Sequence, residues 1–202
     1  MLMTSENIAV VRPANHVPGP AQGKWTYEEY AALDDGQRYE VVHGVLYTTL
    51  TPGIAHQDAV ARILYYLLGY VEFSGRGKVS VAPCDVELAP NIVVQPDVLV
   101  VLKAHKGRVT KSHIVGAPDI AIEVSSPGTA TYDRREKYDL YARAGVQEYW
   151  LVDPVAQVIE VLSLEDSKYQ SLGVFENQDT VISKVVPEIS EVPVVKFFAT
   201  ED

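Results

Sequence analysis

Apolar residues in this chain follow two spacings, and the switches between them mark its elements. Val60, Ile63, Leu64, Leu67, Leu68 and Val71 recur at helical spacing, so the stretch from Ala55 to about Phe73 reads as an amphipathic helix ended by Gly75 and Gly77. A shorter helix opens at Thr26, with Glu29 as its capping-box partner, and stops at Asp34-Asp35-Gly36. Tyr39 to Val42 and Val45 to Tyr47 flank His43-Gly44 and read as a hairpin. Three strands follow, about Lys78 to Leu88, Ile92 to Leu102 and Asp119 to Val124. The tight link Ala89-Pro90-Asn91 makes the first two an antiparallel pair. Asp133 and Glu136 set a second capping-box pattern, for a helix that reaches Arg143 and ends at Gly145. Glu148 to Val152 is a further strand; Val158 to Leu164 and Tyr169 to Phe175 read as an added antiparallel layer. This order predicts an α/β fold of the α+β, mixed-sheet kind.

Two of the strands carry a carboxylate where a carboxylate is costly. Asp97 stands in Val-Val-Gln-Pro-Asp-Val-Leu-Val-Val, and Glu123 ends Asp-Ile-Ala-Ile-Glu-Val. A charged side chain in such a run needs a cation, a proton or several donors. Glu123 has the parity opposite to Ile120 and Ile122, so it faces away from them, either to solvent or to a site beneath a helix. Lys137 follows about one turn into the next helix. Two acids on neighbouring strands and a nearby ammonium are the parts of a metal-dependent phosphodiesterase. Mg2+ or Mn2+ takes oxygen ligands, keeps several waters and acidifies one of them. Asp97, Glu123 and the carbonyl of Val124 are the candidate ligands; Lys137 orients the water or offsets developing charge. The competing readings are an edge position for Asp97, an i, i+4 helix-surface pair for Lys137 and a helix cap for Asp133.

The 202 residues fit a loose, Pro- and Gly-containing arm over residues 1–23 and one domain over residues 24–202. A single cysteine, Cys84, suits a reducing compartment, and no signal-peptide or membrane-spanning pattern is present, so the expected setting is the cytoplasm. The net charge of −10 opposes nucleic-acid binding. It is unevenly placed, however: residues 160–202 hold nine acids against three lysines, whereas residues 98–118 hold none. In that acid-free stretch lie Lys103, Lys106, Arg108 and Lys111, read either as a solvated loop or as a nucleic-acid contact. His56, opening a helix where backbone donors are free, is read either as a packed end residue or as a further phosphate contact.

Several of these segments together resemble a known family. Gln95-Pro96-Asp97, Glu123-Val124-Ser125-Ser126-Pro127, Asp133 to Lys137 and Tyr141 through Asp153-Pro154 are similar to the Uma-type restriction endonucleases of the PD-(D/E)XK superfamily. The N-terminal portion agrees: Trp25 to Tyr30, Arg38 to Gly44, and His56. The resemblance covers roughly residues 25 to 185 and implies a restriction-endonuclease-like core with an N-terminal helix-hairpin and added C-terminal strands. It implies Asp97 and Glu123 as metal-binding acids and Glu40 as a third. Ser125 occupies the superfamily's usual lysine position, and Lys137 matches a lysine displaced to the following helix. The expectation is therefore a metal-dependent DNA endonuclease using Mg2+ or Mn2+, with Asp97, Glu123, Lys137 and Glu40 as its catalytic set. A homodimer is expected, with Trp150, Phe197 and Phe198 as its apolar contact. The rival expectation is a nuclease scaffold that binds or assembles without turnover.

Overall fold

Two prolines decide how the strands divide. The hairpin expected between Lys78 and Leu102 forms, but as two separate ladders. Near its base, β4 (Gly77–Val81) pairs antiparallel with β7 (Val98–Leu102); near its tip, β5 (Val86–Ala89) pairs antiparallel with β6 (Ile92–Val94). Between them lie Ala82-Pro83-Cys84-Asp85 on one arm and Gln95-Pro96-Asp97 on the other. Proline has no N–H to give a ladder, so pairing lapses on both arms at one level. The tip then leaves one sheet and enters another, which turns the expected long strands into four short ones.

The computed structural model describes residues 11–49, 51–126 and 133–198, with the side chains of all but residues 133 and 134. One mixed sheet contains β1 (Arg12–Pro13), β2 (Tyr39–Val42), β3 (Val45–Thr48), β5, β6 and β8 (Ile114–Val115), in the order β1-β3-β2-β6-β5-β8. The other contains β9 (Ile120–Val124), β10 (Glu148–Asp153), β11 (Val158–Glu165) and β12 (Lys168–Glu176), in the order β12-β11-β10-β9-β7-β4. β11 and β12 thus extend this second sheet edge to edge and do not form the separate layer that was expected.

The β2–β3 turn falls at His43 and Gly44, with φ of 51° and 74°, the pair of positive angles a two-residue hairpin turn requires. A Cβ on Gly44 would meet the Gly23 backbone at 2.6 Å, so the close approach also demands glycine. The residues leading to that contact are not loose. Ala14 N–H donates to the Leu46 carbonyl at 2.7 Å, Gly23 N–H to Gly44 at 2.7 Å, and Ala14 is buried. Residues 11–23 thus bond to the β2–β3 hairpin, and residues 1–10 lie outside the described residues.

Strand parity sorts the core of the second sheet into two faces. On one, Ala59, Val60, Ile63 and Leu67 of α2 (Ile54–Leu67) meet Val98, Val100, Ile120, Ile122 and Trp150. The helix continues to Phe73 as expected, but with π-helical geometry from Leu68. On the other face, Leu140 and Tyr141 of α3 (Tyr138–Ala144) meet Leu99, Ala121, Tyr149 and Leu151. A π-helical turn, Asp133–Lys137, leads into α3, and Gly145 at φ 87° ends it; the cap assigned to the Asp133 side chain lies outside the described residues. Packed on the first sheet with Tyr39, Val41, Leu46 and Val93, α1 (Tyr27–Ala31) carries the predicted Thr26–Glu29 capping box and ends two residues before Leu33. Trp150, Phe197 and Phe198 are all buried in the first of these cores, so they offer no surface for the expected dimer contact.

Glu148, fully buried at the start of β10, shows how a core carboxylate is satisfied without metal. It accepts from Trp150 Nε1, Ser183 Oγ, and the backbone N–H of Lys184 and Val185, pinning the C-terminal segment. Glu148→Ala leaves four donors without this partner, two of them buried, and urea denaturation should show a loss of about 3 kcal/mol or more in unfolding free energy.

Candidate active site

The break at Pro96 places Asp97 one residue before β7, at the fork between the two sheets. In the β7–β9 ladder Val98 pairs with Ile122 and Leu99 with Ala121; carried one step on, this register sets Asp97 opposite Glu123. Glu123 has the parity of Ala121 and faces α3, whereas Asp97, one residue outside the ladder, turns its carboxylate to His56 of α2. Cross-strand neighbours of this kind have Cβ atoms about 5 Å apart. The two acids line one cleft.

Hydrogen bonds hold both acids in place. Asp97 Oδ2 accepts the Val124 N–H at 2.8 Å and meets His56 Nε2 at 3.0 Å. An ionised carboxylate only accepts, so Nε2 carries the proton. His56 Nδ1 is buried with no partner among the described residues. Glu123 Oε1 accepts from Lys137 Nζ at 2.9 Å and from the Tyr141 hydroxyl at 2.7 Å. Glu40, on β2 of the other sheet, offers Oε1 to the same Lys137 Nζ at 2.9 Å and to the Gln95 N–H at 2.8 Å. Glu40, Glu123 and Lys137 are about 95% buried, so the ammonium bridges two carboxylates in a low dielectric. Burial, and next the charge of Glu123, push the Tyr141 phenol well above its ordinary pKa, which keeps it a donor.

Asp97, His56, Glu123, Glu40 and Lys137 line one cleft of about 70 Å3 with Arg38, Thr48, Thr49, Gln95 and Val124. By a comparable measure a single water needs about 10–15 Å3, so several fit. Three carboxylates face two cations, Arg38 and Lys137, and hard oxygen is the donor type that Mg2+ and Mn2+ select. Among the described residues no three His, Cys, Asp or Glu side chains form a metal cluster. Lys137 holds the space between Glu40 and Glu123, and Asp97 is turned to His56. Two carboxylates and the Val124 carbonyl still suit an ion that keeps much of its water.

The basic loop is elsewhere. Lys103 to Arg108 form a 3-10 turn after β7, whereas Asp97 precedes it, and a five-residue strand spans about 16 Å. Lys103 and Lys106 line a different groove with Gly75 and Lys78; Arg108 donates to the Ala117 carbonyl; Lys111 is exposed farther along the same loop. None of the four joins the acids. His56 does, through the bond between its Nε2 and Asp97 Oδ2. Three cleft-region residues had no assigned role from sequence: Tyr141, Arg38 and the Gln95 side chain. Tyr141 lies i+4 from Lys137, and Arg38 shares the parity of Glu40, so spacing alone carried a signal for both.

A carboxylate-lined cleft at the open end of a mixed sheet, with α3 over it, defines a protein of the restriction-endonuclease-like fold class. The chain belongs to the Uma2 family, described as "Putative restriction endonuclease", whose model matches residues 27–195. Among solved structures it is similar to a "putative nuclease" from Anabaena variabilis, with a TM-score of 0.68 and 19% identity, covering 86% of this chain and 97% of that one. No curated protein matches. No helix among the described residues is long and apolar enough to cross a membrane.

The raised Tyr141 phenol gives a pH dependence with a definite sign. The folded state holds this proton where the unfolded chain has lost it, so the contribution is complete below about pH 10 and falls as pH rises further. Melting temperatures taken across the alkaline range should fall less steeply in Tyr141→Phe than in the wild type. The variant should also lose about 1–2 kcal/mol at neutral pH, where Glu123 is left one donor short.

Proposed function

We propose that this chain is a metal-dependent endonuclease that hydrolyses phosphodiester bonds in DNA. The observation that carries the reading is the convergence of Asp97 and Glu123, from adjacent strands, on one cleft with Lys137 2.9 Å from Glu123. Asp97, Glu123 and the Val124 carbonyl would hold Mg2+ or Mn2+. When bound, the ion supplies a water acidified for attack and a Lewis acid for the phosphoryl oxygen.

The protein groups have separable tasks. His56 and the Val124 N–H fix the Asp97 carboxylate by occupying Oδ2. Tyr141 and Lys137 do the same for Glu123 through Oε1. Lys137, positioned by Glu40, presents an ammonium where negative charge grows on the phosphoryl group, an interaction that strengthens in the transition state. Lys103, Lys106 and Lys111 are too far away to act on the reacting phosphate, and we assign them at most to backbone phosphates flanking the cut. The setting we assign is the cytoplasm, where Cys84 stays reduced.

One observation favours the rival, a scaffold that binds without turnover: Lys137 already bridges Glu40 and Glu123. Mn2+ titration separates the two. A working site should gain thermal stability from Mn2+, and Asp97→Asn should abolish that gain. In cleavage assays with Mn2+ and varied DNA substrates, Asp97→Ala and Glu123→Ala should each lose at least about a hundredfold in rate. Lys137→Met should also lose about a hundredfold while retaining Mn2+ binding. Wild-type cleavage no greater than that of the Asp97→Ala protein would sink the enzyme reading.

A further inference from the structure

We propose that Arg38 is the phosphate anchor of this cleft, holding a non-bridging oxygen pair of the substrate backbone; this rests on the nuclease reading above. Arg38 stands immediately before β2, and its carbonyl accepts from both Thr49 N–H and Thr49 Oγ1 at 3.1 Å. Those bonds continue the β2–β3 ladder by one pair and hold Arg38 extended. It therefore shares a face with Glu40 two residues on, and both line the cleft.

The guanidinium is held from behind. Its Nε donates to Gln95 Oε1 at 3.0 Å. Gln95 is buried, and its Nε2 donates to Asp85 Oδ1 at 2.7 Å and to the Tyr30 hydroxyl at 2.9 Å. Tyr30 in turn donates to Asp85 Oδ1 at 2.9 Å. The Gln95 amide has thus one acceptor and both donors engaged, so it cannot rotate without breaking three bonds. Burial and the Asp85 charge raise the Tyr30 phenol above its ordinary pKa, so it remains a donor in this relay.

A half-buried network of three residues, Gln95, Asp85 and Tyr30, stands behind one nitrogen of Arg38. The two Nη groups carry no partner among the described residues, although three carboxylates line the same cleft. A half-buried guanidinium with a fixed plane and two unused donors is preorganised for a bidentate oxyanion. Glu40 and Glu123 are already met by Lys137, so neither needs Arg38. A polyanion entering a cleft of net negative charge does.

The test uses the full chain, a short fluorescein-labelled DNA duplex and Mn2+, with Ca2+ in place of Mn2+ for binding. Arg38→Ala should raise KM about tenfold with a smaller change in kcat, and lower the salt dependence of binding by about one phosphate. Arg38→Lys should fall between, since it keeps the charge and loses the fork. Mn2+ affinity should be unchanged or tighter in both, because a cation has left the cleft or become less fixed. A merely structural role for Arg38 would weaken Mn2+ and DNA together and lower the melting temperature. That joint loss, or a KM and salt slope equal to wild type, overturns the assignment while leaving wild-type cleavage intact. If the wild type binds duplex without cutting it, the enzyme reading fails and the salt slope still decides Arg38. If it binds no duplex at all, both fall.

Discussion

One buried ammonium joins three separate parts of this molecule. Lys137 comes from the turn before α3, Glu40 from β2 of one sheet and Glu123 from β9 of the other, and Nζ is 2.9 Å from each carboxylate. Two acids about 95% buried cannot stay ionised side by side without such a partner. Removing the cation would leave two uncompensated charges, the situation in which a buried ion pair is most costly to break. The interaction thus sets the spacing between the sheets at the point where they diverge. It also explains why the strand carrying Glu123 tolerates a charge amid Ile120, Ile122 and Val124.

The divergence itself is a backbone effect. Pro83 and Pro96 interrupt both arms of a long hairpin at one level, so its tip pairs with β2 while its base pairs with β9. A continuous ladder would have kept the site flat and open to water. The fork creates a concave corner, and the residues that flank Pro96 reach into it from both directions: Gln95 toward Arg38 and Glu40, Asp97 toward His56 and Val124. Local sequence, topology and site therefore have one cause.

How much of this is legible from the chain follows from what each signal measures. A carboxylate among β-branched residues is improbable without a partner, so Asp97 and Glu123 stand out, and strand parity puts Glu123 on the correct face. Helical spacing finds α2, and a turn pair finds the β2–β3 hairpin. Periodicity says nothing about which sheet a strand joins, so the division at the two prolines is invisible to it, and β11 and β12 were given a layer of their own. Proximity in sequence also misled about charge: Lys103 follows Asp97 by six residues, but a strand points each end the opposite way. The residues that do approach the acids, Arg38 and Tyr141, are far in sequence and lie in segments whose charge or aromaticity looks ordinary. Trp150, Phe197 and Phe198 were read as a surface because nothing local shows that α2 and the C-terminal segment cover one another.

The charge of the whole chain and that of the cleft then become one problem. A protein of net charge −10 repels a polyanion, and the basic loop lies too far from the acids to reverse the field there. Three carboxylates against Arg38 and Lys137 leave the cleft at minus one. A divalent charge added among them turns that to plus one, a change whose effect is large because the surroundings are poor in water. Under the proposed function, cation binding therefore governs admission of the substrate as well as its hydrolysis, and the order of binding is set by electrostatics. An acidic nuclease is then no contradiction. Under that function the loaded cleft would supply an attraction for DNA that the net charge of the chain does not.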